Sequence, residues 1–170
     1  MDGTIAAIVF LGGLIEMGTG HCPTGCLAPG DEVARLSVQG GQVIFQEETI
    51  GEEVYLGYDL GTARGPFQPT LGLSVTDDGA VWAGAGAKVR WDLGGSGAFV
   101  EGSIMPGYYE AGDGPDLGGS LQFRSALGLG YEFDNGATLT LLYDHRSNAD
   151  TQELNPGMET LSLRYAIRFD

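Results

Sequence analysis

The sequence predicts an all-β fold, namely an eight-stranded antiparallel up-and-down β-barrel that spans a membrane. Apolar and polar residues alternate with a period of two from Asp31 onward, which is typical of strands that have one apolar face. Turn signals divide this region into eight segments. The connections between the segments are alternately tight and longer, and outer-membrane barrels likewise have short turns at one end and long loops at the other.

The composition narrows the class of protein. Glycine accounts for 30 of the 170 residues, far above the average of about 7%, and neither a collagen period nor a linker run explains it. Charged residues make up 18% and hydrophobic residues 42% of the chain, which is too apolar for a disordered acidic tail. The formal net charge of −15 argues against nucleic acid as a partner, because binding it requires basic groups that displace phosphate counterions.

The first 21 residues are interpreted as a leader segment. Residues 5–15 form an apolar stretch of signal-peptide length that is too short to span a membrane as a helix. The alternative is a buried apolar segment of the mature fold. Residues 22–32 form a lead-in with the only two cysteines, Cys22 and Cys26, for which a small disulfide loop in an oxidising compartment is preferred over free thiols.

The barrel domain is predicted to occupy residues 33–170. Of its connections, residues 110–118 and 149–157 are the longest. An eight-stranded barrel encloses side chains but no wide channel, and the glycines and short polar residues of the non-apolar face would let its interior close. The predicted strands run near 33–46, 50–61, 66–76, 80–92, 97–109, 119–133, 137–148 and 158–169.

The apolar face of this barrel has two interpretations. A soluble lipocalin-like barrel would hold that face inside, whereas a membrane barrel turns it outward. The membrane barrel is predicted, because charges can pair inside a polar barrel but not in a lipid-filled cavity. The charges in question, on the non-apolar face, are Arg124, Glu132, Arg164 and Arg168. The aromatic residues available for interfacial girdles are Trp82, Trp91, Tyr108, Tyr109, Tyr131, Tyr143 and Tyr165.

Three polar residues interrupt the outward face near the last hairpin. His145 and Ser147 share the parity of Leu141 in the seventh segment, and Glu159 shares the parity of Leu161 in the eighth. Because a hairpin joins the two segments, the three side chains are expected to lie together. Such a group on a lipid-facing surface is costly unless it is hydrogen-bonded and used.

This trio has the parts of a nucleophilic triad. Ser147 could attack a carbonyl carbon, His145 could take the hydroxyl proton, and Glu159 could hold the imidazole and balance its charge. If both strand termini of the barrel face the periplasm, the seventh strand runs outward and ends at the cell surface. The trio then lies in the outer leaflet, where lipopolysaccharide resides. The alternative is that His145 and Ser147 are ordinary interface residues beside a polar loop.

The segments HRSNAD at residues 145–150 and NPGMETLSLRYAIRF at residues 155–169 resemble the lipid A 3-O-deacylase (PagL-type) family. The resemblance covers mainly the last two strands, and the alternating pattern extends it loosely to about residue 31. It implies an eight-stranded outer-membrane barrel that hydrolyses the ester-linked acyl chain at position 3 of lipid A.

The same resemblance implies roles for five residues. Ser147 corresponds to the nucleophile, His145 to the general base and Glu159 to its orienting acid. Asn155, and less directly Asn148, are implied near the oxyanion hole, where an amide N–H can lower the barrier by roughly 3–4 kcal/mol. For Asn148 the alternative is a turn or capping role.

The leading hypothesis is therefore a serine esterase of the Gram-negative outer membrane with an active site in the outer leaflet. Its partners would be lipid A or lipopolysaccharide as substrate and the surrounding lipid, and a homodimer is left open. The second hypothesis is a non-enzymatic barrel that serves as a structural or adhesion scaffold. No cofactor and no metal are expected, because the loop aspartates look solvated. These are Asp77, Asp78, Asp113 and Asp116.

Overall fold

The computed structural model describes residues 3–169, and Met1, Asp2 and Asp170 lie outside the described residues. The helical elements are α1 (Thr4–Glu16), a π-helical turn (Met17–His21) and a 3₁₀ turn (Cys22–Thr24). The strands are β1 (Pro29–Asp31), β2 (Arg35–Phe45), β3 (Glu48–Asp59), β4 (Thr62–Arg64), β5 (Gln68–Thr76), β6 (Val81–Asp92), β7 (Ala98–Glu110), β8 (Leu121–Glu132), β9 (Thr138–Ser147) and β10 (Met158–Arg168).

Eight of these strands close into an antiparallel barrel in the order β10-β2-β3-β5-β6-β7-β8-β9. Barrel strands that follow one another in the chain are also neighbours in the sheet, and β10 pairs with β2 to close the ring. The predicted eight-stranded up-and-down barrel is confirmed, and each strand begins and ends within two residues of its predicted segment. Strands β1 and β4 pair outside the barrel. The periodicity missed them because three residues are too few to show it.

The outer face of the barrel is apolar, and the inner face is polar. Exposed outward residues include Leu71, Leu73 and Val75 on β5, and buried inward residues include Glu101 and Thr140. The barrel strands are 9 to 13 residues long, close to the 9–11 residues that a tilted strand needs to cross a bilayer. This sidedness is that of a membrane barrel.

Buried charged residues of the lumen form ion pairs near both ends of the barrel. Near the end with the longest loops, Glu53 accepts hydrogen bonds of 2.6 Å from both Arg124 and Arg146, and Arg124 also donates to Asp144. Near the opposite end, Lys88 pairs with Asp59. Buried charges persist in proteins when they are paired in this way, and these pairs cross-link distant strands through the lumen.

Two aromatic residues lie in the lumen and not in the interfacial girdles. Trp82 is fully buried and stacks with Tyr55 at a centroid distance of 6.5 Å, and Tyr109 is buried opposite Trp82 in the β6–β7 register. The girdle prediction is therefore wrong for these two residues. The physical reason is strand parity, which turns both of them inward, where Gly107 leaves room for the indole ring.

Helix α1 lies against the outer faces of β7 and β8. Its buried residues Ile5, Val9 and Gly13 lie on one side of the helix, and Val9 packs over Gly102 of β7. The stretch Thr4–His21 has the length and the apolar composition of a membrane-crossing helix, with a mean hydropathy of 1.3. A leader role for this segment stays a prediction. After the helix, a disulfide joins Cys22 and Cys26.

Removing the carboxylate of Glu53, which Arg124 and Arg146 share, should destabilise the barrel. Glu53→Gln leaves two buried guanidinium groups short of a counter-charge, and we expect the free energy of unfolding to fall by about 3 kcal/mol. Urea unfolding of the refolded barrel, followed by tryptophan fluorescence, measures this change. Asp92→Asn is the control, because it breaks an ion pair with Arg90 whose aspartate side chain is 70% exposed, and less than about 1 kcal/mol is expected. Equal losses for the two variants would contradict the prediction.

Candidate active site

The pairing of β9 with β10 brings His145 and Glu159 together on the outer face of the barrel. The two residues are direct cross-strand partners, and His145 Nδ1 lies 2.9 Å from Glu159 Oε1. The two side chains are only 6% and 16% exposed. In the neutral tautomer that protonates Nδ1, the imidazole donates to the carboxylate, and its Nε2 atom is free to accept a proton.

Ser147 follows on the same face of β9, two residues after His145. Both residues line a cavity of about 450 Å³ on the outside of the barrel. Within the described residues, no hydrogen bond joins the Ser147 hydroxyl to the imidazole. Hydrogen bonds between a nucleophile and its base are often long before substrate binds. The remaining walls come from β7, β8, the β9–β10 loop and the start of α1, through Gly3, Ala6, Ile104, Phe123, Ser125, Ala149, Asp150, Asn155, Pro156 and Gly157.

Asn148 connects the two longest loops of the barrel. Its side-chain amide donates to the carbonyl oxygens of Leu117 and Leu154 at 3.1 and 2.6 Å and to that of Gly118 at 3.3 Å. Asn148 is completely buried, and it is not among the residues that line the cavity. Its amide hydrogens are thus engaged by backbone. This geometry favours the turn role over the oxyanion role that the resemblance implied.

Asn155 does face the cavity. Its Oδ1 atom accepts a 3.0 Å hydrogen bond from the backbone N–H of Asn148, and its Nδ2 atom donates to Asp150 at 2.8 Å. An amide nitrogen carries two hydrogens, so one remains for a ligand. In the loop segment between Asn148 and Asn155, Ala149 and Asp150 both have positive φ angles, of 54° and 58°. Such strained backbone persists where the surrounding contacts hold it in place.

Gly157 covers the imidazole from the β9–β10 loop. Its φ angle is +73°, and a Cβ atom at this position would lie 2.7 Å from Cε1 of His145. Glycine is needed here both for the left-handed backbone and for the close approach. The loop thereby closes one side of the His145 ring.

Arg146, between His145 and Ser147 in the chain, points to the opposite side of the wall. Its guanidinium group pairs with Glu53 in the lumen and lies 5.7 Å from the ring centroid of Trp82. Because successive strand residues alternate sides, holding Arg146 in the lumen keeps His145 and Ser147 on the outside.

The structure also contains site residues that the sequence interpretation missed. Ser125 of β8 is the direct cross-strand partner of His145 and lines the cavity. Its signal in the sequence was a single polar residue on the otherwise apolar parity of β8, between Phe123 and Leu127. Gly157 had a weaker signal, as the glycine of an Asn-Pro-Gly turn.

Known proteins share this sequence pattern. A family model described as Lipid A 3-O-deacylase (PagL) matches residues 39–168. The Lipid A deacylase PagL of Bordetella bronchiseptica is 32% identical over 94 residues, which cover 54% of this chain and 52% of that protein. The Lipid A deacylase PagL of Pseudomonas aeruginosa is 36% identical over 80 residues, which cover 41% of this chain and 46% of that protein. The chain thus spans about half the length of the curated relatives it matches.

The barrel also resembles a solved structure. The crystal structure of the outer membrane enzyme PagL aligns with a TM-score of 0.65 at 22% sequence identity and covers 79% of this chain and 99% of that chain. At this identity the likeness supports the fold alone.

Filling the space above the imidazole should impair the site more than the fold. Gly157→Ala and Gly79→Ala both place a Cβ on left-handed backbone, with φ angles of +73° and +83°, so each should cost about 1–2 kcal/mol of stability. Only the Cβ at residue 157 meets His145, whereas residue 79 has open space around it. We expect Gly157→Ala to lower the kcat of any reaction that uses the His145 imidazole at least about tenfold relative to Gly79→Ala. Equal kcat values for the two variants, compared at equal folded fraction, would contradict this.

Proposed function

We propose that this chain, which belongs to the lipid A 3-O-deacylase (PagL) family, is a serine esterase that removes the ester-linked acyl chain at position 3 of lipid A in the bacterial outer membrane. The observation that carries this proposal is the hydrogen-bonded pair of His145 and Glu159 beside Ser147 in a cavity on the outer face of the barrel. A site on this face is open to lipid esters in the bilayer. A lumen site would exclude them.

The topology supports a position in the outer leaflet. Strand β2 starts and strand β10 finishes at the same end of the barrel. The cavity lies at the opposite end, where β9 leads into the loop of residues 148–157. In outer-membrane barrels the short turns face the periplasm. With the start of β2 and the finish of β10 on that side, the cavity faces the leaflet that contains lipopolysaccharide.

In the first step, the oxygen of Ser147 attacks the carbonyl carbon of the ester. Nε2 of His145 takes the hydroxyl proton as the new C–O bond forms, and the imidazolium that results is stabilised by Glu159 through Nδ1. The short distance between Nδ1 and Oε1 orients the ring before the reaction begins. Orientation of this kind lowers the entropy that must be lost in the transition state.

The negative charge that develops on the carbonyl oxygen needs a donor. The spare amide hydrogen of Asn155 is on the cavity wall, and its hydrogen bonds to Asp150 and Asn148 hold the side chain in place. A donor that is already oriented stabilises the oxyanion without reorganisation during the reaction. We assign the oxyanion role to Asn155. Asn148 then acts indirectly, by fixing the loop.

The intermediate then breaks down and the enzyme is restored. The bond between the former carbonyl carbon and the sugar oxygen breaks, and His145 gives its proton to the departing alkoxide. An acyl group is left on Ser147. A water molecule, deprotonated by His145, attacks this acyl-enzyme and releases the fatty acid, and the proton returns to the Ser147 oxygen. The products are a free fatty acid and a lipid A with a free hydroxyl group at position 3.

Removing the nucleophile should abolish this reaction. Ser147→Ala is expected to lower kcat at least about 10³-fold, measured by mass spectrometry of released fatty acid and of lipid A after incubation with lipopolysaccharide in detergent. Ser162→Ala is the matched control, because it makes the same change on a buried, lumen-facing position of the neighbouring strand β10. Release by Ser147→Ala at the rate of the control variant would disprove the mechanism.

Removing the oxyanion donor should lower kcat with little change in KM. We expect Asn155→Ala to reduce kcat by about 10²-fold, because the donor acts mainly on charge that appears in the transition state. Thr151→Ala tests the loop itself, since it removes the 2.8 Å hydrogen bond from Thr151 Oγ1 to the Asn148 carbonyl. It leaves the hydrogen-bond donors of the cavity wall in place. A similar fall in kcat for both variants would show that Asn155 acts only through the loop.

A further inference from the structure

Helix α1 packs closely against the outer wall of the barrel, with glycines on both sides of the contact. A Cβ atom at Gly13 of the helix would lie 2.7 Å from the ring of Phe67 and 3.3 Å from Val89 of β6. On the barrel side, a Cβ atom at Gly102 of β7 would lie 2.6 Å from Cγ2 of Val9. Close packing at small residues is what holds helices together in a membrane, where lipid is as apolar as the helix. The contact is therefore a specific interface.

Burial on the lipid-facing side of the barrel follows the position of this helix. Val89 is 2% exposed and Gly102 is buried, although both face outward. Outward residues that α1 does not cover remain open, as Leu129 of β8 does at 59%. From Thr4 to Ile15 the helix has no charged residue, so its free side suits hydrocarbon. Helix α1 is thus an additional apolar element on the membrane face of the barrel.

The start of α1 reaches the cavity beside Ser147. Gly3 and Ala6 form part of the cavity wall. The strand residues of this wall other than His145 and Ser147 come from β7 and β8, which are the strands that α1 contacts. The cavity therefore extends from Ser147 toward the helix.

The other end of α1 lies at the opposite end of the barrel. Glu16, the last residue of the helix, and His21 line a second cavity of about 260 Å³ together with Arg35 at the start of β2. The helix therefore runs along the wall from the active-site end toward the end where β2 begins. An acyl chain whose ester lies at Ser147 extends toward the bilayer centre, which is the same direction along the same wall.

We propose that α1 is an intramolecular lid that excludes the acyl chain of a substrate from the active site until the helix leaves the barrel wall. The proposal rests on the esterase function stated above and concerns the regulation of the same site. Lipid replaces the helix when it leaves, so packing alone opposes the opening. The predicted leader, residues 1–21, contains the whole helix, and its removal would uncover the same wall.

A disulfide between the helix and the wall tests the lid. A Cβ atom at Gly102 would lie 3.3 Å from the Cβ atom of Val9, close to the separation of about 3.5–4.5 Å in disulfides, so Val9→Cys with Gly102→Cys can lock α1 in place. The locked full chain should hydrolyse lipopolysaccharide in detergent at least about tenfold more slowly than the same protein after dithiothreitol, because locking removes the binding-competent fraction. The unaltered protein with dithiothreitol controls for loss of the Cys22–Cys26 disulfide.

The reaction of Ser147 with diisopropyl fluorophosphate distinguishes a lid from a distorted site. This reagent has no acyl chain, so the lock should leave its rate of reaction unchanged while the hydrolysis of lipopolysaccharide falls. Equal hydrolysis by the locked and reduced forms would overturn the proposal. An equal fall in both reactions would also overturn it, because the lock would then act on the catalytic groups and not on the path of the acyl chain.

Loosening the helix should have the opposite effect to locking it. Gly13→Leu places a side chain where a Cβ atom alone already meets Phe67, and we expect kcat/KM for lipopolysaccharide to rise at least about threefold above the unaltered protein as the undocked fraction grows. Gly18→Leu is the matched control, because the space around Gly18 is open, and it should leave kcat/KM unchanged. Equal values for the two variants would overturn the lid. A Gly13→Leu protein that neither hydrolyses lipopolysaccharide nor reacts at Ser147 would overturn the esterase function itself.

Discussion

The alternation of side chains across a single barrel wall is the constraint on which this structure depends. The strands must send their unpaired charges to the lumen and their apolar groups to the lipid, since an unpaired charge in hydrocarbon is very costly. In β9 this constraint acts on three successive residues. Arg146 is held in the lumen by Glu53, and His145 and Ser147 are therefore directed outward. The ion pair inside the barrel and the reactive groups outside it thus lie on opposite faces of one strand.

The loops near the site add rigidity that the strands alone do not supply. Asn148 ties the β9–β10 loop to the β7–β8 loop through the carbonyl oxygens of Leu117 and Gly118, and Asn155 bonds back to the Asn148 backbone. These contacts hold the left-handed backbone of Ala149 and Asp150. A loop fixed in this way keeps its polar groups oriented in a membrane-facing site, where there is little water to satisfy them if they move.

The position of the cavity also relates the fold to its chemistry. An eight-stranded barrel has an interior filled with side chains, here including the stacked Tyr55 and Trp82, so a lipid substrate has no room in the lumen. The outer wall, by contrast, meets the acyl chains of the bilayer directly. The polar groups of the site interrupt that wall near one end of the barrel, where the ester linkages of a lipid are closer than at the bilayer centre. Ser125, across from His145, belongs to the same polar interruption.

The sequence by itself determined the barrel, its strand boundaries to within two residues, its sidedness and the grouping of His145, Ser147 and Glu159. These features follow from local rules, because a period of two assigns each side chain to a face and a hairpin makes neighbours of two strands. Only the tertiary structure decided the contacts between distant segments. Arg146 is 93 residues from its partner Glu53, and Asn148 is 31 from Leu117. Closure of the barrel creates such contacts, and no local pattern records which distant residue will face which.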